Sequence, residues 1–144
     1  MHSMRGCMSG IIPTGLWVMD EARSRKLTPA SLTLWVLKDD GNQLVWVSVE
    51  TDPQGKISVC SFDGIYGGPA TTVQGNGFVV SLRSPAPRKV EVSGEVPGMG
   101  PFVERSEISE DGRKMIVHGE VRAGAETTTW YEEFNWQGPS PHGL

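Results

Sequence analysis

Ser31–Phe62, "SLTLWVLKDDGNQLVWVSVETDPQGKISVCSF", carries the plainest β pattern in the chain. Three runs in it, Ser31–Lys38, Gln43–Glu50 and Lys56–Phe62, are rich in β-branched and large apolar residues. "DDGN" and "TDPQGK" separate them, and Gly41, Pro53 and Gly55 are residues that tight turns demand. No connection is long enough for a crossover helix. Each run therefore reads as a strand that pairs antiparallel with the next.

The same grammar continues outward. Phe78–Arg83 and Lys89–Val96 flank "SPAPR"; Phe102–Ser109 and Lys114–Val121 flank "EDGR"; Thr127–Trp136 closes the series. Upstream lies a short strand around Leu16–Val18, then "DEARSRKL", which has room for about two helical turns with Asp20 as N-cap. "DGIYGGPATTVQGNG" (residues 63–77) reads as a long irregular segment. A set of short antiparallel strands must close or pair face to face, and closure removes exposed edges. Sequential hairpins favour closure, so the pattern predicts an all-β, up-and-down antiparallel barrel of about eight to ten strands with one short helical turn near the N-terminus. Residues 14–137 form the expected single domain, between flexible tails at 1–13 and 138–144.

The 144-residue chain carries a formal charge of -4, and its only basic cluster is Arg23, Arg25 and Lys26. That argues against a nucleic-acid partner, which needs a basic stripe. No apolar run approaches the ~18 residues of a membrane span. "MHSMRGCMSGIIPTG" has no apolar core of a signal peptide, so the expected location is the cytoplasm and no membrane partner is expected. Cys7 and Cys60 are too few and too far apart for a disulfide framework and read as free thiols.

Gly15-x-Trp17 at the first strand of such a barrel resembles the start of the lipocalins and their calycin relatives. More closely, Gly15–Trp136 resembles small bacterial lipocalin-like proteins of uncharacterised function. The resemblance rests on "GLWVMDEARSRKL", "LKDDGNQL", "TDPQGK", "FDGIYGGPATTVQG", "ISEDGRKM" and "TTTWYEEF". It implies a barrel whose closed end is plugged by Trp17, a short helical turn nearby and a cavity for an apolar small molecule. One departure stands out. Lipocalins usually stack a late Arg on that first Trp, and here no Lys or Arg follows Arg122, so a partner for Trp17 must come from elsewhere.

Strand alternation assigns faces. Met115, Val117, Gly119 and Val121 oppose Ile116, His118, Glu120 and Arg122; Val90, Val92, Gly94 and Val96 oppose Glu91, Ser93 and Glu95. The first set of each pair reads as lining, with Gly94 and Gly119 leaving room for a ligand. On the last strand Trp130, Glu132, Phe134 and Trp136 share a face, which puts a carboxylate on an aromatic wall. An unpaired buried carboxylate is costly, so Glu132 must be paired, protonated or hydrated. Arg105 is a possible partner; the alternative inward residue on that strand is Glu104, which would make a carboxylate pair. Ser31–Lys38 and Gln43–Glu50 are apolar on both faces, which predicts either a homodimer or a covering by Met1–Pro13 or the glycine-rich loop.

Two functions follow as expectations. The first is binding of an apolar or aromatic small molecule, lined by Trp130, Phe134, Val117, Val121, Val90, Val92 and Trp46, with Trp35 and Trp136 as further aromatic candidates and Tyr66 over the open end. The second is a cofactor-free isomerase, cyclase or lyase in which Glu132, with Arg105 or Glu104, moves a proton. Glu132 has a plainer alternative, a place at the barrel mouth in contact with water. His118 and Glu120 lie on the polar face and read as a solvated pair. His2 and His142 fall in the tails, so no multi-histidine metal site is expected. No nucleophile-elbow motif occurs, and "GNG" at Gly75–Gly77 opens no helix, so no phosphate cradle or cofactor is expected.

Overall fold

A computed structural model describes residues 10–26 and 30–139. Among them ten strands form one antiparallel sheet: β1 (Gly15–Met19), β2 (Leu32–Asp39), β3 (Gln43–Thr51), β4 (Ile57–Ile65), β5 (Thr71–Thr72), β6 (Val79–Ala86), β7 (Lys89–Val96), β8 (Gly100–Ile108), β9 (Lys114–Ala123) and β10 (Glu126–Gly138). Their order is β4-β3-β2-β1-β10-β9-β8-β7-β6-β5. Every neighbour in that order is a chain neighbour except β1 and β10, whose pairing brings the two ends of the chain together. The sheet nearly closes on itself where Ser61, in β4, exchanges backbone hydrogen bonds of 3.0 and 2.7 Å with Gln74, just past β5. The fold is thus the expected all-β up-and-down barrel.

Residues 63–77 are not wholly irregular. They contain the two-residue β5, which is too short to show a period, and it pairs with Val79 and Val80 of β6. The predicted helical segment is a single 3-10 turn, Glu21–Arg23, whose Arg23 N–H donates to the Asp20 side chain. It is short because Arg25 rejoins the sheet, exchanging backbone hydrogen bonds with Tyr131.

Trp17 is fully buried, as are Leu37, Met115, Val117 and Phe134. Its indole N–H donates to the Pro13 carbonyl at 2.9 Å, so the partner comes from the segment before β1. That segment, read as part of a tail, packs at the same end of the barrel: Ile12 is 3% exposed and its N–H donates to Asp39. The buried Asp39 also accepts from the Gly41 N–H and from the Tyr66 hydroxyl, at 2.8 and 2.6 Å. One carboxylate therefore ties three segments across this end. His2, Cys7 and His142 lie outside the described residues. Among the described residues no helix is long and apolar enough to cross a membrane.

Candidate functional site

Alternation points one side chain in two into the barrel, and the inward set leaves a cavity of about 240 Å³. Its wall is mostly aromatic and aliphatic. Trp35 meets Trp46 edge to face at 5.7 Å, Trp46 stacks on Phe62 at 5.2 Å, and Phe78 tilts against Phe102 at 5.8 Å. Val90, Val92 and Trp130 join them, as read from the sequence.

Its acidic side chains are Glu50, Glu104 and Glu132. On β10, Trp130 and Glu132 both line the cavity, and Glu132 is 9% exposed. On β8, two strands away, Phe102, Glu104, Ser106 and Ile108 form the inward face, so Glu104 rather than Arg105 turns inside. The register sets Glu104 opposite Gly119 of β9, and Gly119 opposite Trp130 of β10. The Trp130 indole lies over Gly119 and donates its N–H to Glu104 at 2.9 Å. A Cβ on Gly119 would sit 1.9 Å from that indole. Gly119 therefore does not leave room for a ligand; it leaves room for Trp130. Gly94 likewise adds no volume, since a Cβ there would meet the Val79 carbonyl oxygen at 2.1 Å. It serves the close approach of β6 to β7.

Arg105 is on the outer wall, paired with Glu91 at 3.2 Å and Glu120 at 3.7 Å. It cannot neutralise Glu132. The physical reason is period two: with Glu104 inside, its neighbour must point out. The carboxylate pair follows. Burial, then the charges of Glu104 and Glu50, push the Glu132 carboxyl up to about 9, against a smaller opposing effect of Lys26. Burial also raises Glu104, and the Trp130 hydrogen bond offsets only part of that. Both acids are thus biased toward the protonated form, by burial first and, for Glu132, by the charge of Glu104 next.

Several cavity residues have no counterpart in the sequence reading. Lys26 enters from the segment after the 3-10 turn and is held by the Glu21 carboxylate and by Thr33 Oγ1. Glu50 and Ser48 come from the inward face of β3 and Thr33 from that of β2. Only the alternation of β2 and β3 signalled them, and both faces of those strands are apolar enough to hide it. Cys60 lines the cavity too; burial pushes its thiol up, which keeps it protonated and a poor nucleophile.

Other expected lining residues lie elsewhere. Phe134, Val117 and Val121 are fully buried in packed core; Phe134 stacks on Trp35 at 4.1 Å. Trp136 packs near β1, its N–H donating to the Thr14 carbonyl at 3.2 Å. Tyr66 is at the Trp17 end, tied to Asp39, and so covers the filled end of the barrel. His118 is exposed against Tyr131, and Glu120 pairs with Arg105, as a solvated face requires.

The sequence matches no protein-family model and no curated protein.

Proposed function

We propose that this barrel is lipocalin-like and binds an apolar or aromatic small molecule in its interior, oriented by Glu104 and Glu132. The observation that carries the reading is the cavity itself: about 240 Å³, walled by aromatic rings and valines, with three acidic side chains, Glu50 on β3, Glu104 on β8 and Glu132 on β10. An eight-stranded or slightly larger barrel can be filled by side chains or hold one small ligand, and here space remains. Three tryptophans, Trp35, Trp46 and Trp130, line that space, so a bound molecule quenches intrinsic fluorescence. Saturable quenching by members of a panel of one- and two-ring apolar compounds, with a matching rise in melting temperature, is the expected result. No saturable change with any member overturns the reading.

The carboxylate pair supports a second reading, a cofactor-free isomerase, cyclase or lyase. With one acid protonated and the other ionised, the cavity holds both a proton donor and a proton acceptor, which is what moving a proton between two atoms of one substrate needs. Turnover that disappears in Glu132→Gln while binding persists would select it over the binding reading.

A homodimer accompanies both readings. The outer faces of β2 and β3 carry Leu34, Val36, Val45, Val47 and Val49, and the exposed Leu32, Ile57 and Val59 extend them. Three strands of about eight residues present roughly 380 Å² before side-chain relief. Against the roughly 600 Å² per partner at the low end of stable interfaces, that makes a small interface, formed at micromolar concentrations and above. No charge interrupts the centre of this face, and a second copy offers the same surface. Light scattering is expected to give a dimer at tens of micromolar, and Val47→Lys a monomer; a wild-type monomer overturns the dimer.

A further inference from the structure

Resting on the binding reading, we propose that the ligand is an organic cation, a small aromatic or apolar amine whose ammonium sits between Glu104 and Glu132.

The interior is acidic. Glu50, Glu104 and Glu132 line the cavity against one ammonium, that of Lys26. Lys26 is already engaged by Glu21 and Thr33. Glu104 receives one hydrogen bond, from Trp130. Glu132 is nine-tenths buried, lines the cavity, and accepts no hydrogen bond from the described residues. A purely apolar occupant leaves that carboxyl without a partner, which is costly in a low-dielectric space. An anionic occupant adds to the repulsion that Glu104 and Glu132 already exert on each other. An ammonium supplies up to three donors and one positive charge. The wall suits it as well, because the faces of indole and phenyl rings attract cations, Trp most strongly. A metal ion is a poorer match: among the described residues no three acidic, His or Cys side chains gather as a metal-holding group. The volume sets the size. At about 240 Å³ the cavity falls below the roughly 300–1,000 Å³ of a site for drug-sized molecules, so a single-ring amine is the scale.

The test compares phenethylamine with phenethyl alcohol by calorimetry on the full chain. The two differ in replacing an ammonium by a hydroxyl on the same skeleton. The amine is expected to bind at least about 10-fold tighter near neutral pH, the ratio a charge-assisted hydrogen bond supplies. In Glu132→Gln that ratio collapses because the amine loses more affinity than the alcohol. Glu104→Gln behaves likewise and keeps an acceptor for the Trp130 N–H, so it controls for folding; melting curves check both variants. The groups facing Glu132 are Glu104, Glu50, Glu21 and Lys26, and an ammonium against Glu132 favours loss of the proton that burial and the neighbouring acids hold there. Affinity for the amine therefore rises between about pH 6 and about pH 8, and the binding heat changes with the buffer's ionisation enthalpy. Equal affinities for amine and alcohol overturn the cation and leave the binding reading standing. An amine preference that survives both Gln variants overturns the placement. No binding of either probe, or of any panel compound, overturns both readings.

Discussion

β10 runs through two different interiors. At Phe134 it enters a packed region, where Trp17, Met115, Val117 and Phe134 are all fully buried and touch one another's strands. Two residues earlier, at Glu132, the same face of the same strand looks onto the cavity. The difference lies in what the neighbouring strands contribute. Beside Phe134, β9 offers Met115 and β1 offers Met19, both large enough to fill the space. Around Glu132, β9 offers the smaller Val117, itself still buried in the packed region, while β8 contributes a carboxylate and a serine to the cavity. Inward alternation is the same in both regions; only the volume and polarity of the cross-strand neighbours decide whether the barrel is solid or holds a site.

The sharpest break of that contrast is Phe134→Ala. It removes a fully buried ring stacked on Trp35, and a loss of about 3–5 kcal/mol is expected from denaturant melts. A loss under about 1 kcal/mol would mean the packed region is not packed.

Gly119→Ala comes next. The new methyl must displace the Trp130 indole, so a loss of about 1–3 kcal/mol is expected, together with a changed near-ultraviolet dichroism as Trp130 leaves Glu104. An unchanged spectrum would show that the indole does not depend on the glycine.

Glu132→Gln sharpens the contrast from the other side. Because the folded carboxyl is raised from 4.5 to about 9, the folded state holds a proton that the unfolded state has released. Stability is therefore full below the ordinary carboxylate range and is lost as pH rises toward the folded value. The amide carries no such penalty. Its advantage over wild type should be near zero at about pH 4 and grow to at least about 1 kcal/mol by about pH 9. Melting curves for the two proteins that run parallel across pH would place Glu132 in water.

The smallest effect is a matched pair. Val117→Ala and Val92→Ala delete the same atoms, one in packed core and one beside existing space. Val117→Ala should cost more, by about 1 kcal/mol, because only there does the deletion create a new void. Equal costs would erase the distinction between the two regions.

What could be read without coordinates follows one physical rule. A half-buried strand alternates, and turn residues announce themselves by their backbone needs. That rule yielded the barrel, the strands other than β5, and the placement of Glu132 between Trp130 and Phe134. It could not choose between Glu104 and Arg105, since "FVERSEIS" alternates without a clear apolar face. It read Gly94 and Gly119 as empty space, because a missing side chain looks the same whether a ligand, a backbone or a neighbouring indole takes its place. Lys26 was out of reach for another reason: it lies in a coil, where no period says which way a side chain turns.

Which residues share a face, and where the chain reverses, are set within a few residues by sterics and hydrogen bonding and so are written locally in the chain. Closing the barrel is what turns one face of β8 inward, lets Trp130 fill the gap at Gly119 and pin Glu104, and brings Glu104 and Glu132 into one low-dielectric space. These outcomes depend on register between strands far apart in the chain, and on closure of the sheet at Ser61 and Gln74, which no local pattern encodes.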